Sequence, residues 1–151
     1  MIVVWAAKRS IIARIQAWAD MQEGTGQPLD GVQVAYSLPP EPERVCVYGG
    51  RARGSRVPSA AERNVLFRED VTVDVRVRVV ELGDDVEGAE RTAEQIAQQV
   101  AAAVQADPPL VQGRIYVAAV DADPTAISPG PEPSVTVNVG LSVILALQMG
   151  A

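Results

Sequence analysis

The chain has 151 residues, a length that suits one domain with a sizeable core, and 13 basic against 19 acidic residues give a net charge of −6. It has no histidine and a single cysteine, Cys46. That excludes histidine acid–base chemistry, an intrachain disulfide and a cysteine-built zinc site, and the acidic balance argues against a general nucleic-acid binder.

The apolar start Met1–Ala7 meets Lys8, Arg9 and Arg14 too early for a secretory leader, so none is expected. No apolar run approaches the ~18 residues of a membrane span. Residues 3–22 are predicted to form a helix, with Ile11, Ile12, Ile15, Trp18 and Ala19 at helical spacing. Gly24, Gly26 and Pro28 end it. Trp18 reads as a core anchor, whereas Trp5 could serve the core or a partner.

Val32–Leu38 reads as a short strand stopped by Pro39–Pro40. Arg44–Tyr48 reads as a second strand ending at Gly49–Gly50. Residues 49–64 show no apolar period and are expected to be a long, flexible basic loop. A third strand is predicted over Leu66–Leu82, where Val71, Val73, Val75, Val77 and Val79 alternate with Thr72, Asp74, Arg76 and Arg78. It is longer than one globular monomer needs.

Asp84 and Asp85 open a second helix running to Ala106, with Ala89, Ala93, Ile96, Ala97, Val100 and Val104 as its buried stripe. Gly113–Val120 reads as a fourth strand. Residues 121–134, with four prolines, read as a second flexible loop. Val135–Gln148 alternates again and is predicted as the last strand. The expected fold is therefore one α+β domain over 1–151. A mostly antiparallel sheet of about five strands packs on two helices in the order α-β-β-β-α-β-β.

Candidate chemistry is sparse. Gly49–Gly54 lacks the Gly-Lys-Ser/Thr of a phosphate loop. Asp121 and Asp123 flank Ala122 in a turn without the further ligands of a calcium loop. Ser55 and Ser59 have no histidine to activate them. Cys46, inside the apolar run Val45–Tyr48, reads as a buried hydrophobe rather than a reactive thiol. No metal, cofactor or catalytic residue is assigned, and the chain is expected not to be an enzyme. The best candidate site is Arg51, Arg53 and Arg56, read as a solvated loop or as an arm that orders against an acidic partner.

Charge is also segregated. Residues 44–78 carry eight arginines against four acids, and residues 84–151 carry nine acids against Arg91 and Arg114. Such polarity suits head-to-tail association, although a mixed solvated surface would show it too.

The N-terminal helix, Leu66–Leu82, the helix over 84–106 and the closing strands Gly113–Val120 and Val135–Gln148 together resemble the tail terminator proteins of long-tailed bacteriophages. The resemblance lies in element order, length and residue style rather than in a signature motif. It implies a hexameric ring of identical copies that caps the tail tube, stops its polymerisation and docks the filled head. The implied partners are the tail tube protein and a head-completion or connector protein, with DNA passing through the ring lumen. No cofactor and no membrane are implied, and the place is the virion, with the host cytoplasm during assembly. On this likeness Arg51, Arg53 and Arg56 would meet the tube or line the lumen. A head-completion or connector neck protein, a small ligand-binding or enzymatic α+β domain and a non-viral oligomeric adaptor are the alternatives.

Overall fold

The computed structural model describes residues 4–59, 66–106, 110–111, 114–115, 117–122, 126–129 and 134–149. Along the chain these form α1 (Val4–Gln22), β1 (Gln33–Ala35), β2 (Val45–Ser59), β3 (Leu66–Leu82), α2 (Val86–Ala106), β4 (Leu110–Val111), β5 (Arg114–Ile115), β6 (Val117–Ala122), β7 (Ala126–Pro129) and β8 (Ser134–Met149). The fold is α+β, two helices on one face of a mixed sheet.

The sheet runs β1-β2-β3-β8-β6, with β7 pairing β8 beside β6. β3 and β8 are antiparallel over their whole lengths, from Phe67 opposite Met149 to Leu82 opposite Ser134. Only β1 lies parallel to its neighbour, setting Gln33–Ala35 against Cys46–Tyr48. The 36–44 connection makes this possible by returning the chain to the end of the sheet where β1 began.

Period-2 alternation builds the core. Val71, Val73, Val75 and Val77 are fully buried, as are Val137, Val143 and Leu145 on β8. Opposite them lie Ala7, Ile11 and Ile15 of α1 and Ala89, Ala93 and Val100 of α2. The alanines let α2 lie close to the valine surface. Arg14 Nε donates to the carbonyl of Ala103 at 3.3 Å, tying α1 to the last turn of α2, where carbonyls lack helical partners. Trp18 Nε1 and Gln22 Nε2 both donate to Gln99 Oε1, at 3.2 and 2.8 Å, and Gln22 Oε1 accepts from the amide of Leu29 at 2.9 Å. This knot fixes α1, α2 and the turn after α1 to one another.

α1 stops where expected. Gly24 and Gly26 have φ of +76° and +75°, which favours glycine, and their amides both donate to the Asp30 carboxylate at 2.9 Å. α2 starts as expected too: Asp85 Oδ1 accepts from the amide of Gly88 at 2.9 Å, so Asp85 caps the helix and Val86 is its first residue.

Four expectations need correction. β2 does not end at Gly49–Gly50: it continues to Ser59 and pairs with β3 down to Leu66, so residues 49–59 are ladder rather than loop. The 121–134 segment is not all loop, because β6 reaches Ala122 and Ala126–Pro129 pairs with Asn138–Val135 of β8. The expected strand 113–120 is divided: Arg114–Ile115 pairs with Leu110–Val111 in a separate two-stranded sheet, and β6 joins the main sheet. β1 is three residues long rather than seven, and it pairs with Cys46–Tyr48.

Candidate assembly surface

The helices occupy one face of the sheet and leave the other open. On the open face β3 presents Thr72, Asp74, Arg76 and Arg78, and β8 presents Thr136, Asn138 and Ser142, all intermediate in burial except the exposed Arg76. The alternation that buries the valines thus places two arginines and an aspartate opposite them.

The contribution of β2 to this face depends on an irregularity. Gly49 pairs with Val75 and Ala52 with Val73, so Gly50 and Arg51 together oppose the single residue Asp74. This is a β-bulge. One extra residue reverses the parity of everything after it. Without the bulge, unbroken alternation of the same residues would set Arg51 and Arg53 on the side of Gly49, facing α1. With it, Ala52 and Gly54 take that side, and both arginines are exposed on the open face.

Glycine is required at the turn into this bulge. A Cβ on Gly49 would stand 2.5 Å from Lys8 Cε and 2.6 Å from the carbonyl oxygen of Tyr36. A Cβ on Gly54 would stand 3.3 Å from Val4 Cγ2, so the start of α1 lies against β2 there. The result is a crevice of about 180 Å³ lined by Arg51, Arg53, Thr72, Asp74 and Ser142.

The structure therefore brings Arg51 and Arg53 together. The backbone register sets Arg56 opposite Glu69, at a position of the other parity from Arg53. All three belong to a paired strand, which corrects their assignment to a flexible loop.

Cys46 is fully buried, as expected, although its register partner is Arg78 of the open face. Gln33, its partner on β1, accepts from the amide of Glu43 at 2.8 Å, which holds the 36–44 connection beside it. Burial pushes the Cys46 thiol pKa up; nearby Arg78 pulls it down and Glu43 raises it further.

Lys8 was not expected inside. It is only 8% exposed, its ammonium stands 4.1 Å from the centroid of the Tyr36 ring, and burial lowers its pKa. Trp18 is half-buried against the core and Trp5 is 63% exposed. The side chains of Ser55, Ser59 and Asp121, and all of Asp123, lie outside the described residues.

Sequence reasoning missed an open groove of about 390 Å³ between the end of α1 and β1, lined in part by Asp20, Glu23, Leu29, Val34 and Glu43. It arises from the parallel placement of β1, for which no local signal exists. Among the described residues no group of three or more His, Cys, Asp or Glu could hold a metal ion, and no helix is long and apolar enough to cross a membrane.

No family model matches the sequence, and no curated protein matches it. Among solved structures, the chain is similar to one in a structure described as "Virion of native gene transfer agent (GTA) particle". That likeness has a TM-score of 0.48 at 13% identity and covers 93% of this chain and 94% of the other.

Proposed function

We propose that this chain is a structural protein of a phage-type particle, specifically a tail terminator that forms a ring, hexameric by family resemblance, on the end of the tail tube. In this reading it stops tube growth and offers the head its docking surface, and it works by complementary surfaces rather than by reacting groups. Its place is the virion, and its contacts are further copies of itself, the tube protein and a head-completion protein.

The observation that carries the reading is the pair β3 and β8. They are 17 and 16 residues long, paired throughout and covered by helices on one face alone. At ~3.3 Å per residue, 17 residues span about 56 Å. Strands of a self-contained small domain are usually 3–10 residues. A ribbon of this length with a polar, half-exposed face is what an assembly subunit uses to reach its neighbours. The resemblance in element order supports the same reading.

The test adds the purified protein to a polymerising tail-tube protein and measures tube length by electron microscopy. Tubes should shorten in proportion to added protein and carry a ring at one end. Tubes that grow to the same length, with no ring-shaped density at their ends, would overturn the proposal.

A further inference from the structure

The two faces of the molecule carry opposite charge. The open face holds Arg51, Arg53, Arg76 and Arg78 against Asp70 and Asp74. The outer side of α2 and the turn before it hold Asp84, Asp85, Glu87, Glu90 and Glu94 against Arg91, all exposed except the half-buried Glu90. Resting on the ring reading above, we propose that the open sheet face of one copy seats against the acidic α2 face of the next.

The dimensions agree. Strands ~4.8 Å apart, with β2, β3 and β8 at 15, 17 and 16 residues, make an open face on the order of 800 Å² from these three alone, which is what one partner contributes to a stable interface of standard size. α2, at 21 residues and ~1.5 Å per residue, is about 32 Å long, close to the ~33 Å of ten strand residues. Arg76 and Arg78, two residues apart on β3, repeat at ~6.6 Å, and Glu90 and Glu94, four apart on α2, repeat at ~6 Å. Two guanidinium groups can therefore meet two carboxylates in one register.

A contact between two different faces of the same chain is heterologous. It passes from copy to copy and closes when the rotation between copies divides a full turn. Asp74 in the middle of the arginines favours a protein partner over nucleic acid, because a carboxylate repels a phosphate backbone. Against α2 the same aspartate has Arg91 as its counterpart.

The experiment uses two double variants of the full chain, Arg76→Glu/Arg78→Glu and Glu90→Arg/Glu94→Arg, with sedimentation velocity across concentration and salt. Circular dichroism verifies that both remain folded. Wild-type protein should assemble as concentration rises and dissociate as salt rises. Each variant alone should associate at least about tenfold more weakly. An equimolar mixture should assemble as wild type does, since every contact in an alternating array is again between opposite charges.

Variants that assemble like wild type, a mixture that stays monomeric, or a wild-type chain monomeric to its solubility limit would each overturn the proposal. So would duplex DNA binding through the open face by a chain that does not self-associate. No tail component is present, so this test and the tube-capping test fail independently.

Discussion

β3 makes two surfaces from one stretch of backbone. Val71, Val73, Val75 and Val77 are fully buried under the helices, while between them Thr72, Asp74 and Arg78 are intermediate in burial and Arg76 is exposed. Adjacent residues thus answer to different physics. On the helix side, removal of apolar area from water and close packing decide what is allowed. On the open side, solvation tolerates almost any polar group, so the fold does not require arginine there. Residues that the fold leaves free to vary are where partner recognition can be written.

The sharpest way to break the comparison is to exchange the two kinds of residue at adjacent positions. Val75→Asp buries a carboxylate with no partner among valines and alanines and should cost more than about 4 kcal/mol, leaving the chain unfolded or molten by circular dichroism and thermal melting. Arg76→Glu, one residue on, should change stability by no more than ~0.5 kcal/mol. Similar losses at both positions would mean that the open face is packed.

The bulge at Gly50–Arg51 is the next target, because it decides which surface the later part of β2 joins. Deleting both Gly50 and Arg51 sets Ala52 opposite Asp74 and Arg53 opposite Val73, which turns Arg53 toward α1. Burying its guanidinium group there would cost several kcal/mol, so the ladder beyond Gly49 should open instead. Hydrogen exchange should show lost protection over Ala52–Ser59 while Val45–Val47 stays protected. Unchanged protection over Ala52–Ser59 would show that parity does not control this segment.

That bulge also explains what could and could not be read from the sequence. β3 and β8 were legible almost to the residue, since each keeps unbroken alternation and buries a single face. α2 was legible because its stripe of alanines and branched residues has one period and a capping aspartate. β2 was legible only to Tyr48. Beyond it the bulge breaks the period, Gly49, Gly50 and Gly54 supply no apolar side chains, and the arginines suggest solvent. The pairing that makes this stretch a strand comes from β3, outside any local window. Arg51 and Arg53 were found as candidates by charge alone, and their position came from the parity change. Arg56 was grouped with them by proximity in sequence, which in a strand is a poor guide to proximity in space.

Behind the buried face, the Gln99 knot gives a smaller effect. Gln99→Leu keeps the volume but leaves Trp18 Nε1 and Gln22 Nε2 without their acceptor. A part-buried donor left unpaired costs ~1–3 kcal/mol, so the urea midpoint should fall with no change in slope. The assembly seen by sedimentation should persist, since none of these groups lies on the open face.

Cys46 sharpens the comparison most finely, because it pairs with Arg78 of the open face and yet is fully buried. Its folded-state pKa is raised above the ordinary thiol value of 9.0, chiefly by burial, so the folded chain holds the thiol proton more tightly than the unfolded chain does. Stability from this source is fully present below the unfolded pKa. It declines as pH climbs past about 9 and is lost once pH passes the folded value. Denaturant titrations at pH 7 and pH 10 should show an alkaline loss that is smaller in Cys46→Ala. A thiol reagent should label the folded protein much more slowly than the unfolded one at both pH values. Rapid labelling of the folded chain at neutral pH would mean that the 36–44 connection opens readily, and that this corner belongs to the open face after all.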